Sequence, residues 1–163
     1  MIKKTIIEQK KEKNLLIVLS LIAIFLSNLG IPGIGNAAIM PNYFIALIIT
    51  FILMRLGNLN LYKLVIIGLL VDVFVGQLLG QYAFIFISIY LADNIVNRAL
   101  VIKSGKQTFT LSFFLILISF FILWISSTSY SIFIHPKIIL FQIILTVITY
   151  SILNVFINRS ISR

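Results

Sequence analysis

The sequence predicts an all-α integral membrane protein of six transmembrane helices with both termini in the cytoplasm. Three observations predict it. Hydrophobic residues make up 61% of the 163 positions and charged ones 10%, with a mean hydropathy of +1.16. Soluble domains carry about 45–50% apolar and roughly 25% charged residues, so this chain has too little polar surface to cover a water-soluble globule. A disordered chain is excluded on the same ground. The apolar residues also fall in six runs. A spanning helix takes about 20 residues, so six use about 120 and leave no room for a second, soluble domain. Finally, twelve of the thirteen Lys and Arg residues fall on one side when all six runs cross, and the positive-inside rule makes that side cytoplasmic. Helices rather than strands follow because lipid satisfies no exposed backbone group and the runs lack barrel-strand alternation.

The chain divides into a basic cytoplasmic tail at 1–13, a single transmembrane domain at 14–157 and a cytoplasmic tail at 158–163. The first run, Asn14–Leu29, follows Lys3, Lys4, Lys10, Lys11 and Lys13. With Gly35-Asn36-Ala37 it imitates a signal peptide, but its length of about 16 residues exceeds the usual core of about 7–15. A helix-breaking connection, Gly30-Ile31-Pro32-Gly33-Ile34-Gly35, also separates it from the small-residue site. A retained helix is the expectation. The second run, Asn42–Leu56, and the fourth, Tyr82–Val96, are short. Fifteen residues cover about 22 Å of a hydrocarbon core about 30 Å thick, so either the bilayer thins locally or neighbouring helices shield these two.

The third run is Leu61–Leu79, the fifth Phe109–Ile125 and the sixth Ile138–Ile157. Arg55 and Lys63 flank the second loop, Arg98, Lys103 and Lys106 the fourth, and Arg159 and Arg163 close the chain; the fifth loop holds only Lys137. Tyr43, Tyr62, Tyr82 and Tyr130 stand at span ends, where an amphipathic ring fits the headgroup region. No internal repeat supports an inverted-repeat transporter.

The formal charge of +9 reflects span boundaries, and no basic residues alternate with aromatics as a nucleic-acid platform requires. Cysteine is absent and His135 is the one histidine, which removes disulfides, thiolate chemistry and nearly all transition-metal chemistry. Among four acids, Glu8 and Glu12 sit in the lysine-rich tail and read as solvated. Asp72 stands inside the third run, about 16 Å from Leu61 at 1.5 Å per residue. An ionised Asp at the centre of a membrane costs about 2.5–3.5 kcal/mol, so it must face protein or water, or be protonated. Gly68, Asp72, Gly76 and Gly80 recur every fourth residue and form one strip on a helix, the spacing that lets another backbone approach closely.

Three roles stand open for Asp72: packing within the chain, contact with a partner's transmembrane helix, and a proton or ion site. The last lacks a membrane-embedded Lys, Arg or His to relay with. Asp93 and Asn97, four apart toward the end of the fourth run, share a face suited to a hydrogen bond. Enzyme readings fail on residue counts. No Gly-x-Ser nucleophile with a buried His is present for intramembrane proteolysis. The two intramembrane carboxylates are 21 positions apart, which does not make the clustered Asp set of a metal-dependent lipid transferase. The expectation is a non-enzyme with no cofactor and no metal.

The residues also carry a resemblance. Met40-Pro41-Asn42-Tyr43 opening the second run, Gly68-Leu69-Leu70-Val71-Asp72 with Gly76 and Leu79-Gly80 in the third, and Tyr90-Leu91 in the fourth resemble MreD, the family of rod shape-determining membrane proteins. Pro41, Asn42, Leu79 and Tyr90 carry the motif beside the strip. Met40 departs from the arginine common at that position. The resemblance implies a non-enzymatic scaffold of the bacterial inner membrane that docks MreC. Through it the protein connects MreB filaments to peptidoglycan synthesis by RodA and its class B penicillin-binding partner. The family is similar in fold to the six-helix substrate-binding components of energy-coupling-factor vitamin transporters, which supplies the alternative function. Such components dock through an Ala-x-x-x-Ala strip in the first helix; this chain has Ala23-x-x-x-Ser27. The expected mechanism is helix docking, with Gly68, Gly76 and Gly80 opening the groove and Asp72 fixing register by one buried hydrogen bond.

Overall fold

The computed structural model describes residues 6–28, 40–75, 78–99, 105–129 and 136–161. They form six helices and, among the described residues, no strand. The helices are α1 (Ile6–Asn28), α2 (Tyr43–Leu53), α3 (Leu61–Val75), α4 (Gln81–Ala99), α5 (Gly105–Ser129) and α6 (Pro136–Ile161). Each coincides with one apolar run. The largest departure is at α1, which begins eight residues before its run and takes in part of the basic tail; α3 ends four residues before Leu79, α5 extends four residues past its run at each end, and α6 ends four residues past Ile157.

The second helix is the shortest, at 11 residues, and it is the centre of the bundle. Phe44 to Ile52 are buried without interruption, and α1, α4, α5 and α6 all pack against it. Its length of about 16 Å is accommodated because its sides meet protein. Of the two ways to place a short helix, shielding by neighbours is the one the fold uses. Both ends are capped. Asn42 lies in extended backbone before the first turn, and its side chain accepts from the Ile45 N–H at 3.2 Å, the usual task of an N-cap asparagine. At the other end Arg55 occupies the left-handed region at φ 54°. The Leu56 N–H donates to the Phe51 carbonyl (2.9 Å) and the Arg55 N–H to that of Ile52 (3.1 Å), the paired bonds of a Schellman stop. Leu56 packs in one apolar cluster with Phe51, Leu19, Leu47 and Ile157, supplying the contact that accompanies such a stop.

The larger core joins Ala23 of α1, Leu64 and Val71 of α3, Ile85, Phe86 and Ile89 of α4, Leu115, Ile116 and Phe120 of α5 and Tyr150 of α6 around α2. The outward faces are as apolar as the core: Phe25, Val73, Ile95, Leu140 and Ile152 are all more than 60% exposed. Soluble monomers rarely expose such area. Stretches Gln107–Ser126 of α5 and Lys137–Ser160 of α6 are long and apolar enough to cross a membrane. Hydroxyls on α2, α5 and α6 turn back on their own backbone: Thr50, Ser119, Thr149 and Ser151 each donate to the carbonyl four residues earlier. That removes the cost of an unpaired polar group in an apolar medium.

Candidate functional site

The site is built where α3 hands the chain to α4. Helix α4 starts at Gln81, and Gly80 holds the N-cap position, its carbonyl accepting from the Phe84 N–H (2.9 Å). Glycine has no side chain to satisfy the free amides that open a helix. Asp72, in the last turn of α3, provides the missing oxygens. Its Oδ2 accepts from the Gly80 N–H at 2.7 Å and its Oδ1 from the Tyr82 N–H at 2.8 Å. The Gln81 N–H donates to the Leu78 carbonyl (3.1 Å), so the first three amides of the turn are all taken. A carboxylate at a helix N-terminus also meets the positive end of its dipole. Asp72 is 1% exposed, and both oxygens are in use.

Gly68 sets the distance between the two helices. A methyl group placed on it would lie 2.3 Å from the Ala83 Cα and 2.5 Å from the Ala83 nitrogen, so α3 and α4 touch backbone to backbone there. Gly80 has φ +94° with open space around it; its requirement is conformational, since side chains are strained in that region. From this turn the polar contacts spread across the bundle. The Tyr82 hydroxyl accepts from Asn42 Nδ2 at 2.6 Å, and the Asn42 N–H donates to Thr146 Oγ1 of α6 at 3.0 Å. Gln81 Nε2 donates to Ser126 Oγ of α5 at 2.5 Å. Tyr82 stacks edge-on between Phe44 and Phe86. Five helices are thus tied at one level by five side chains besides Asp72.

These positions revise several expectations. The strip of four does not continue along one helix: α3 ends at Val75 and Gly80 belongs to the turn. Gly76 lies outside the described residues. The face carrying Gly68 and Asp72 is filled by α4 of the same chain. Asp72 makes two bonds to backbone amides instead of one, and it sits in the final turn of its helix, whereas the residue count had put it midway along a longer span. Tyr82 is buried and hydrogen-bonded, where a headgroup-level ring was expected. Of the motif residues, Asn42 has the capping role just given, Pro41 and Tyr90 are half-buried, and Leu79 is 75% exposed.

Glu12 is a second buried carboxylate, against the expectation of a solvated side chain in the lysine-rich tail. Glu12 is 5% exposed, and its Oε2 accepts from the Gly57 N–H at 3.0 Å. It ties α1 to the turn between α2 and α3. The lysines around it masked this, because α1 carries the helix into the tail and turns Glu12 inward. The side chain of Glu8 lies outside the described residues, as do His135, Tyr130 and the Gly30–Gly35 connection. Asn97 Nδ2 donates to Asp93 Oδ2 at 2.5 Å, the contact expected of that pair. Among the described residues no three His, Cys, Asp or Glu side chains gather as a metal site would require.

What the fold and this site define is a helical bundle of membrane type in which two buried carboxylates, Glu12 and Asp72, accept from the backbone amides of neighbouring elements. The family model described as rod shape-determining protein MreD matches residues 9–159. The chain belongs to the MreD family, a family of membrane proteins that determine rod shape. No curated protein and no solved structure matches the chain.

Proposed function

We propose that this chain is a non-enzymatic scaffold of the bacterial inner membrane, crossing it six times with both termini in the cytoplasm. In this reading it docks the single-span protein MreC and links MreB filaments to peptidoglycan synthesis by RodA and its class B penicillin-binding partner. In the same reading its six-helix arrangement resembles that of the substrate-binding components of energy-coupling-factor transporters. The observation that carries the reading is the MreD match across residues 9–159. The polar chemistry is consistent with it: Asp72 and Glu12 engage backbone amides, the use a rigid docking body makes of buried carboxylates.

Co-purification in mild detergent from a rod-shaped host tests the reading. MreC is expected to be recovered with the chain. Recovery of the chain without MreC overturns it. A stoichiometric vitamin in place of MreC overturns the scaffold reading in favour of the transporter component.

A further inference from the structure

We propose that the groove between α5 and α6 holds one acyl chain of an anionic phospholipid whose phosphate is engaged by Lys137. The groove has a volume of about 590 Å³ and is lined by Leu117, Phe121 and Trp124 of α5 and Ile139, Leu140 and Ile143 of α6, among others. That volume falls within the range of about 300–1,000 Å³ of built ligand sites. Every lining residue is a large apolar or aromatic one. Close helix docking in a membrane needs small residues that let backbones approach, and this lining contains none. A flexible hydrocarbon chain fits between bulky side chains where a helix does not.

The headgroup follows from charge. The groove occupies the half of the α5–α6 pair next to their connecting loop, with Trp124 five residues before the end of α5. Lys137 is the second residue of α6, exposed, and three positions before Leu140, hence its neighbour on the helix surface. No other Lys or Arg lies between Lys106 and Arg159. The one cation in that whole stretch therefore lies within a helical turn of the groove lining, its charge complementary to a phosphate, while Trp124 takes the boundary position such rings favour. The site depends on α5 and α6 crossing the bilayer and not on the scaffold reading, so the two fail independently.

Trp124 is the single tryptophan of the chain, and its fluorescence reports the groove directly. The full-length protein is reconstituted in phosphatidylcholine vesicles containing a small fraction of brominated phosphatidylglycerol or, separately, brominated phosphatidylcholine. The expected result is quenching that favours the anionic lipid by about fivefold, the factor that about 1 kcal/mol from one lysine near the surface provides. Lys137→Gln, a surface change that leaves the fold intact, is expected to abolish the preference. Equal quenching by both lipids overturns the proposal, as does a preference that survives Lys137→Gln. Absence of quenching by either lipid, the signature of a groove closed by another chain or a second copy, overturns it as well.

Discussion

At Asp72 two N–H groups, that of Tyr82 buried and that of Gly80 partly buried, depend on one side chain. Asp72→Asn keeps the shape but leaves one oxygen to serve both amides and removes the charge that faces the helix dipole. An orphaned buried donor costs about 1–3 kcal/mol, so thermal unfolding in detergent is expected to show that loss, and Asp72→Ala a larger one. Gly68→Ala fails for a different reason: the new methyl would meet the Ala83 backbone at 2.3 Å. Overpacking of this kind costs about 1–3 kcal/mol. Because the obstruction is main chain, adding Ala83→Gly is expected to restore little of the lost stability, which the double variant measures in the same assay. Arg55 points the other way. It sits in left-handed backbone, which costs an ordinary L-residue about 1–2 kcal/mol, while contacts of an exposed arginine contribute about 1 kcal/mol or less. Arg55→Gly is therefore expected to raise the unfolding temperature.

Between elements, two of the three carboxylates buried among the described residues, Glu12 and Asp72, act as ties at opposite ends of α3. Glu12 holds α1 to the turn that precedes α3, and Asp72 holds α4 to the last turn of α3. Glu12→Ala is expected to release α1 locally, seen as faster amide hydrogen exchange in α1 and at Gly57 with little change in α5 and α6. The positions of all six helices were legible, because a run of apolar residues bounded by charge or Gly/Pro has few other solutions. Asp72 was legible too, since an acid amid Leu and Val demands an explanation. Its partner was not. The four-residue spacing treated 68–80 as one continuous helix, and the signal against this was Gly80 directly before Gln81-Tyr82, a break where a helix could restart. Asn42 carried a readable N-cap signature, an asparagine after Pro41 and before an apolar run. Glu12 was hidden by composition, because five lysines in the first thirteen residues suggest water on every side.

For the whole molecule, the arrangement of charge makes the sharpest prediction. The chain contains no cysteine, so single cysteines at Ala37, Ser104 and Ser162 can be labelled from either side of intact cells. The expected pattern is labelling of the first from outside and of the other two only after permeabilisation. The bundle is organised around α2, buried along its length, with a ring of helices whose outward faces are apolar.

The short separation between Asp72 and the amides it binds, eight and ten residues, has a consequence for how the protein is made. Once α3 and the first turn of α4 have left the ribosome, both amides that hydrogen-bond the aspartate are already present. The pair can enter the bilayer as a closed hairpin, its acid masked by amides before any fatty chain meets it and before α5 and α6 have been synthesised.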